Sequence, residues 1–513
     1  MNSILIVGAG PTGLMLANQL NRFGIDYIIV DQKSGPTDQS RALVVQARSL
    51  EIYEQLGLSD QIVADGQTSV GMNFFRNGKS GGSVTIINSD EKASPFPFLL
   101  MYEQSKNETI LYKNLLAHSR DVQWNTTITH IEKEGEIYSL KATRGAAELT
   151  FQCKWLVACD GGKSIVRDFS KVPFEGGSYV NVFYVADTHA DAGLTQDRLD
   201  MFLTKRGVTL LFPMKGAHHF RVLGILPKEY YNRTEIPFEE ILDKARAGMK
   251  MPVEFYDTRW HSTYKLHHKK VDRFSVENIF FAGDAAHVHS PAGGQGMNTG
   301  LQDAYNLAWK LALVARGKAG ASLLETYHEE RNPVANDLLK TTDRLFAGMI
   351  TDNFWFGILR LWIVPYLAPF LAKSRSIRRQ LFLLVSQIKI AYTSSSLSKG
   401  KAGKIRAGMR LPYFFVTVQG NPVSLYSLVN RSPAPFTVLF YNLMAVDSLV
   451  PDKELFYKIE LEKSEANEKA FKTTGLPGSF IMVVRPDNYL AYISAEVKPE
   501  EINSFIKDAY KLF

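Results

Sequence analysis

Two cysteines in 513 residues are too few for a disulfide framework. Cys153 and Cys159 both fall in the run FQCKWLVAC, which reads as one strand. At about 3.3 Å per residue they would stand roughly 20 Å apart, out of pairing distance, and two buried free thiols fit a reducing, cytoplasmic setting. No positively charged lead or small-residue cleavage site precedes the apolar run Ile4 to Val7, which argues against a signal peptide. Lys and Arg form no block, and a net charge of +7 is small for this length. Nucleic-acid binding is therefore not expected, while a mild preference for anionic ligands such as dinucleotide phosphates is. Histidines, cysteines and carboxylates nowhere fall at metal-ligand spacing, so no metal site is expected. Internal repeats are absent.

Core material is plentiful, with 45% apolar and 22% charged residues, as in an ordinary soluble globular chain. The length exceeds what one core supports, so two or three domains are expected. Residues 1–73, 103–175 and 271–345 alternate helix and strand and read as one discontinuous α/β domain. Residues 74–102 and 176–270 alternate apolar and polar positions, as in Arg206 to Met214, which predicts an inserted antiparallel sheet. Residues 346–400 read as a helical segment. Within it FWFGILRLWIVPYLAPFLA (354–372) is long enough to cross a bilayer, but Arg360, Pro365 and Pro369 spoil a simple span. A buried or subunit-interface helix, and with it a homodimer, is the first expectation. Membrane-surface association through 354–379, helped by the basic cluster Lys373 to Arg379, is the second. A Ser/Lys/Gly-rich linker is expected near 394–404, followed by a small α/β domain over 405–513. Strands are expected there at Phe436 to Tyr441, Ser479 to Val484 and Tyr489 to Ile493, the last two joined by an Arg485-Pro486-Asp487-Asn488 turn.

Gly8, Gly10 and Gly13 form G-x-G-x-x-G between an apolar strand and a helix whose Leu14, Ala17, Leu20 and Phe23 recur at helical spacing, and Asp31 ends the next strand. Gly8 permits the tight turn, Gly10 admits a pyrophosphate, Gly13 lets helix and strand pack, and Asp31 can accept a ribose hydroxyl. This is a dinucleotide-binding βαβ unit. A second cluster, NIFFAGDAAHVHSPAGGQGMNTGLQDAYNLAWKLA (278–312), runs from a strand through Gly283-Asp284 and a glycine-rich loop into a helix with Leu301, Ala304, Ala308 and Leu311 on one stripe and Gly317 closing it. Gly294, Gly296, Met297 and Asn298 lie at its first turn, where unpaired N–H groups and the positive dipole end would face a ligand. The anionic edge of a reduced flavin suits that place.

With these motifs the chain resembles the class A flavoprotein monooxygenases, the aromatic hydroxylases related to para-hydroxybenzoate hydroxylase and phenol hydroxylase, in particular the subgroup acting on phenols and aromatic polyketides. Three motifs match in order: GAGPTG at 8–13, including Pro11 and Thr12, CDGGKSIVR at 159–167, and GDAAH to GQGMN at 283–298. The resemblance implies a Rossmann-like FAD-binding domain with an inserted substrate domain and a thioredoxin-like C-terminal domain, which without C-x-x-C would serve packing or association. It implies that Asp160 and Gly161 lie near the FAD pyrophosphate and that Arg41 and Gln104 contact FAD. Ile128 would present its backbone to the adenine, and Asp284, as a buried carboxylate, would bind the ribityl chain. Pro291 and the Gly294 to Asn298 loop would flank the isoalloxazine. Ser164 and Arg167 would hold the middle motif in shape, with His287 and His289 shaping the flavin site rather than catalysing.

Two departures stand out: Arg48-Ser49-Leu50-Glu51 where the family usually has R-T-L-E, and Asn488 where the final turn often has glycine. The activity implied is hydroxylation of a phenolic or other aromatic substrate by dioxygen through a flavin C4a-hydroperoxide, with NAD(P)H as reductant and no fixed domain for it, since no second G-x-G-x-x-G exists. The residues do not identify a catalytic acid or base. The rivals are a flavin-dependent oxidoreductase or halogenase on the same fold, although the halogenase W-x-W-x-I-P segment is missing, and a flavin-binding protein without turnover.

Overall fold

The computed structural model describes residues 4–40, 42–85, 93–204, 207–233, 236–289, 294–350, 357, 359–432, 434–444, 448–450 and 452–512. Arg41 and Pro291, both expected at the cofactor, fall outside them, as does Arg206. Four apolar segments, each buried on both faces, make a parallel sheet in the order Ile279–Phe281, Trp155–Ala158, Ile4–Val7, Tyr27–Val30, with Ser275–Val276 added antiparallel at the edge. The helices Pro11–Arg22 and Gly296–Ala315 pack on one another against this sheet, which brings the beginning of the chain and a segment nearly 300 residues later into one core. Gly24, at φ +61°, ends the first helix in the left-handed conformation that glycine adopts freely.

Residues FQCKWLVAC do not form a single strand. Ala147–Cys153 closes an antiparallel meander with Ile137–Arg144 and Thr127–Glu134, whereas Trp155–Ala158 belongs to the parallel sheet, and the break falls at Lys154. Both cysteines are buried and free.

An eight-stranded sheet built mainly from Phe174–Asp191, Glu254–Val271, His219–Ile225, Gly207–Pro213, Arg198–Thr204, Gly71–Arg76 and Lys79–Thr85 stands beside the parallel sheet. One face is covered by the helix Phe238–Met249, whose Ile241, Leu242 and Ala245 meet Val182, Phe202 and Val222. Its edge is extended by His287–Val288, so the two sheets are stitched together by the loop that the sequence marks as functional. Leu99–Met101 does not join it but pairs with Val44–Val45 and Gln67–Ser69.

The expected linker near 394–404 is not one. Lys399–Ala402 pairs in parallel with Leu490–Ser494 inside a six-stranded sheet, where Gly400 (φ +105°) lies so close to Ile493 that a Cβ would come within 2.2 Å of its carbonyl oxygen. Ser395 and Ser396 bond Glu330 and Glu329. Small and basic residues look like a tether in sequence, but here smallness serves close strand packing. The Arg485 to Tyr489 turn closes as expected, with Asn488 at φ +59°.

Candidate cofactor and active site

At the end of the Ile4–Val7 strand Gly8 (φ +101°) donates its N–H to Val30 O at 2.8 Å. A Cβ on Gly8 would sit 2.3 Å from Cys159 O, and one on Gly13 would sit 1.9 Å from Gly8 O, so both glycines are demanded by packing. Gly10 differs: nothing lies within 4 Å of where its Cβ would be. Pro11 opens the helix. Thr12 lies under the last motif, since a Cβ on either Gly283 or Gly300 would come within 2.4 or 2.3 Å of its hydroxyl oxygen. Motifs some 150 and 270 residues beyond the first thus close on the same turn. Asp31 accepts N–H groups from Ala9 (2.6 Å) and Lys33 (2.8 Å), so it also locks the turn that it borders.

Asp160 and Gly161 follow directly on Cys159. Gly161, at φ +81°, again has open space where a Cβ would be. Asp160 Oδ1 is buried and has no hydrogen-bond partner, and burial pushes its carboxyl above the ordinary range. An unpartnered carboxylate oxygen beside two glycines that open onto space fits a polyhydroxylated dinucleotide such as FAD. Ser164 caps the short helix Ile165–Ser170. Arg167 donates to Gly162 O (2.7 Å) and Ala285 O (3.1 Å), tying the second motif to the third.

In the third motif Gly283 (φ +59°) begins a tight turn that leaves Asp284 exposed, not buried as expected. Underneath, Asp303 accepts from Gly283 N (3.1 Å), His287 Nε2 lies 2.7 Å from it, and Arg331 Nε donates to it at 2.7 Å. Burial alone would raise the Asp303 carboxyl, but Arg331 and His287 outweigh that and hold it low. His287, 2% exposed, is therefore a structural member of the loop. Asp303 escaped the sequence reading, although an acid one residue before the apolar stripe position Ala304 was its signal.

Gly294 (φ +62°) packs on Val44, and Gly296 and Met297 open the Gly296–Ala315 helix. Asn298 is fully buried. It accepts from Gln46 N (2.9 Å) and Ser49 Oγ (2.7 Å) and donates to Val44 O and Gly294 O, both at 2.8 Å. Its side chain thus braces the loop. The serine of Arg48-Ser49-Leu50-Glu51 keeps the hydroxyl that this brace needs, so that departure from the family pattern packs against the glycine loop.

At the other end of the groove, three backbone bonds join residues 123–126 to Asp31 and Lys33, and place Ile128 at the head of its strand with a bulge just beyond it. Gln104 donates its N–H to Ala42 O (3.0 Å) and its amide to Glu108 Oε1 (3.0 Å). Glu108, buried and also bonded to Lys33 (2.9 Å), was not anticipated.

The eight-stranded sheet turns its second face to this groove. Phe212 and Arg221 are cross-strand partners on that face. Arg221, 2% exposed, is bound by both oxygens of Asp187 (2.6 and 2.7 Å) and donates to Ala42 O (3.3 Å), next to the Val44 that Gly294 touches. Phe212, Leu223 and Trp260 are half-buried there, an apolar wall opposite the glycine loop.

A glycine-lined groove beside an apolar sheet face suits a dinucleotide-dependent enzyme with an apolar substrate. The FAD-binding-domain family model matches residues 1–342, and the chain belongs to that family. It is 30% identical over 510 residues to 6-methylpretetramide 4-monooxygenase of Streptomyces rimosus, covering 95% of this chain and 90% of that one. Among solved structures, CabE, an aromatic hydroxylase from angucycline biosynthesis, is 25% identical with a TM-score of 0.79 over 100% of this chain and 99% of that one. OxyS anhydrotetracycline hydroxylase from S. rimosus, at 24% identity and a TM-score of 0.81 over 99% of both chains, shares the fold. The protein is an enzyme, an FAD-dependent aromatic monooxygenase, and NAD(P)H dependence is typical of its family.

Proposed function

We propose that the chain hydroxylates a phenolic or polycyclic aromatic compound held between the Phe212, Leu223 and Trp260 face and the Gly294 to Asn298 loop. The observation that carries this reading is the closure of three distant motifs on one turn, with open space at Gly10 and Gly161 and an unpartnered Asp160 oxygen beside it. Bound FAD supplies the electron transfer from NAD(P)H and the activation of dioxygen.

The chain's own residues do the rest. Gly10 and Gly161 admit the pyrophosphate to backbone N–H groups at the start of the Pro11–Arg22 helix, and Asp31 and the Ile128 backbone border the adenosine. Asp160 lies beside the pyrophosphate, and Asp284 accepts hydroxyl hydrogen bonds from the ribityl chain. The N–H groups of Gly296, Met297 and Asn298, at a helix N-terminus, stabilise negative charge at the flavin edge, and the Asn298 side chain keeps them in place. The apolar sheet face excludes water and orients the ring. The small C-terminal domain, which we read as thioredoxin-like, acts by packing. Buried thiols suit a cytoplasmic setting.

Purified protein assayed against a panel of phenols and polycyclic aromatics should oxidise NAD(P)H faster with at least one of them. A flavin that is reduced equally fast with and without every aromatic, and yields no oxygenated product, would support a plain oxidoreductase; no reduction at all would support a binding protein.

A further inference from the structure

Among the described residues, eight of the large apolar side chains that stand exposed lie between Leu359 and Leu384, and the most prominent are Trp362 (58%), Tyr366 (48%) and Phe370 (65%). Spaced at i, i+4 and i+8, they line one side of the turn Leu359–Ile363 and the helix Val364–Leu371. The other side is docked. Pro365 and Pro369 press on Gly81 and Gly82 of the Lys79–Thr85 strand so closely that a Cβ on either glycine would meet proline carbons at 2.7 and 2.8 Å. Arg76 of the neighbouring strand stacks on Trp362, 4.0 Å from the ring centre. The apolar stripe therefore faces outward because the segment is seated firmly on its opposite side.

Charge sets the occupant. From Asn353 to Val446 the sequence holds no Asp or Glu but twelve Lys and Arg. Lys373 and Arg379 are exposed immediately after the aromatic stripe, with the Lys373 ammonium 5.9 Å from the Phe370 ring centre. Two copies meeting through this face would bring two basic clusters into one interface with no acidic residue in the segment to offset them, which disfavours a homodimer here. Aromatic side chains beside Lys and Arg suit the headgroup layer of an anionic bilayer, where the rings enter the interface and the cations meet phosphates. No described helix is long and apolar enough to cross a membrane, so the contact would be superficial.

We propose that this face docks the enzyme on anionic lipid membranes. The FAD-loaded full chain should float with vesicles of phosphatidylcholine and phosphatidylglycerol, detach as salt rises, and bind phosphatidylcholine vesicles weakly. Lys373→Glu with Arg379→Glu should weaken partitioning roughly tenfold or more. Trp362→Ser with Phe370→Ser should abolish it, and both pairs should retain one FAD per chain. Failure to bind the anionic vesicles, or equal binding to neutral ones, would overturn the proposal. So would a concentration-dependent dimer that the Trp362→Ser and Phe370→Ser pair disrupts, since that would give the face to a second copy. Bound FAD and turnover are read separately, so the outcome is independent of the hydroxylase reading.

Discussion

Gly10 and Gly13 stand one helical turn apart and should fail in opposite ways. A side chain at Gly10 enters open space, so Gly10→Val should fold with the parent's apo stability and yet purify colourless, because the valine fills the pyrophosphate approach. At position 13 even a methyl group would come within 1.9 Å of Gly8 O, so Gly13→Ala should lower apo-protein stability in urea titration. Equal flavin content in Gly10→Val and parent would remove the first motif from the cofactor site. Asp284 is a cleaner probe than a buried acid would be, since its exposed side chain leaves no cavity when cut. Asp284→Ala should weaken FAD binding about tenfold, read by flavin fluorescence titration, with unchanged apo stability. At this scale the glycines and the acids at strand ends were legible in the sequence, because each belongs to a short motif whose spacing beside an apolar strand is itself the signal. Asp303, Glu108 and the Asn298 brace were not, since each also depends on a partner far away in sequence, Arg331, Lys33 and Val44 respectively.

The helix Gly296–Ala315 has the apolar stripe that its sequence predicts, but its polar side is buried as well. Lys310 and Asn306 turn into a network centred on Glu330, which accepts from Lys310 (2.8 Å), from Asn306 (2.7 Å), and from Arg485 at 2.5 and 2.9 Å. Trp309 donates to Asp487 (3.1 Å) in the same place. The final turn is thus plugged into the flavin-bearing core, which explains why a segment read as a linker is structured. Burial would raise the Glu330 carboxyl, but Arg485 and Lys310 hold it well below the ordinary range. Burial pushes Lys310 down to about 8 despite Glu330. The signs differ in consequence. Glu330 contributes stability that is present above the unfolded carboxylate range, near 4.5, and lost as pH falls below it. Lys310 costs stability wherever it is charged in the fold, and that cost is relieved as pH rises from about 8 to 10.5. Glu330→Gln should therefore lower unfolding free energy by about 3 to 5 kcal/mol at neutral pH, by stranding buried cations, and should flatten the acid limb. Lys310→Met should cost far less, since Glu330 retains Arg485, and should erase the alkaline rise. A Glu330→Gln loss no larger than that of Lys310→Met would show that the network is not centred on Glu330.

Across the whole molecule, the architecture was readable wherever periodicity was undisturbed: the first βαβ unit, the alternating strands of the large sheet, and the strands of the tail. It was misread where one run of residues serves two sheets, as at Cys153 to Cys159, and where smallness meant close packing, as at Gly400. Both thiols are buried, and burial pushes Cys153 to about 12 and Cys159 well up. Native protein should therefore react negligibly with a disulfide reagent, and two thiols should titrate only after denaturation; fast labelling of the native chain would contradict this core.

The account as a whole rests on a groove that carries FAD and delivers dioxygen's oxygen to an aromatic ring. The direct test is turnover of FAD-loaded enzyme with NAD(P)H and an accepted aromatic under isotopically heavy dioxygen. The account predicts a product carrying one heavy oxygen atom per NAD(P)H oxidised in coupled turnover, and none when Gly10→Val replaces the parent. A product whose new oxygen comes from water, or none from any aromatic that accelerates NAD(P)H oxidation, would contradict it.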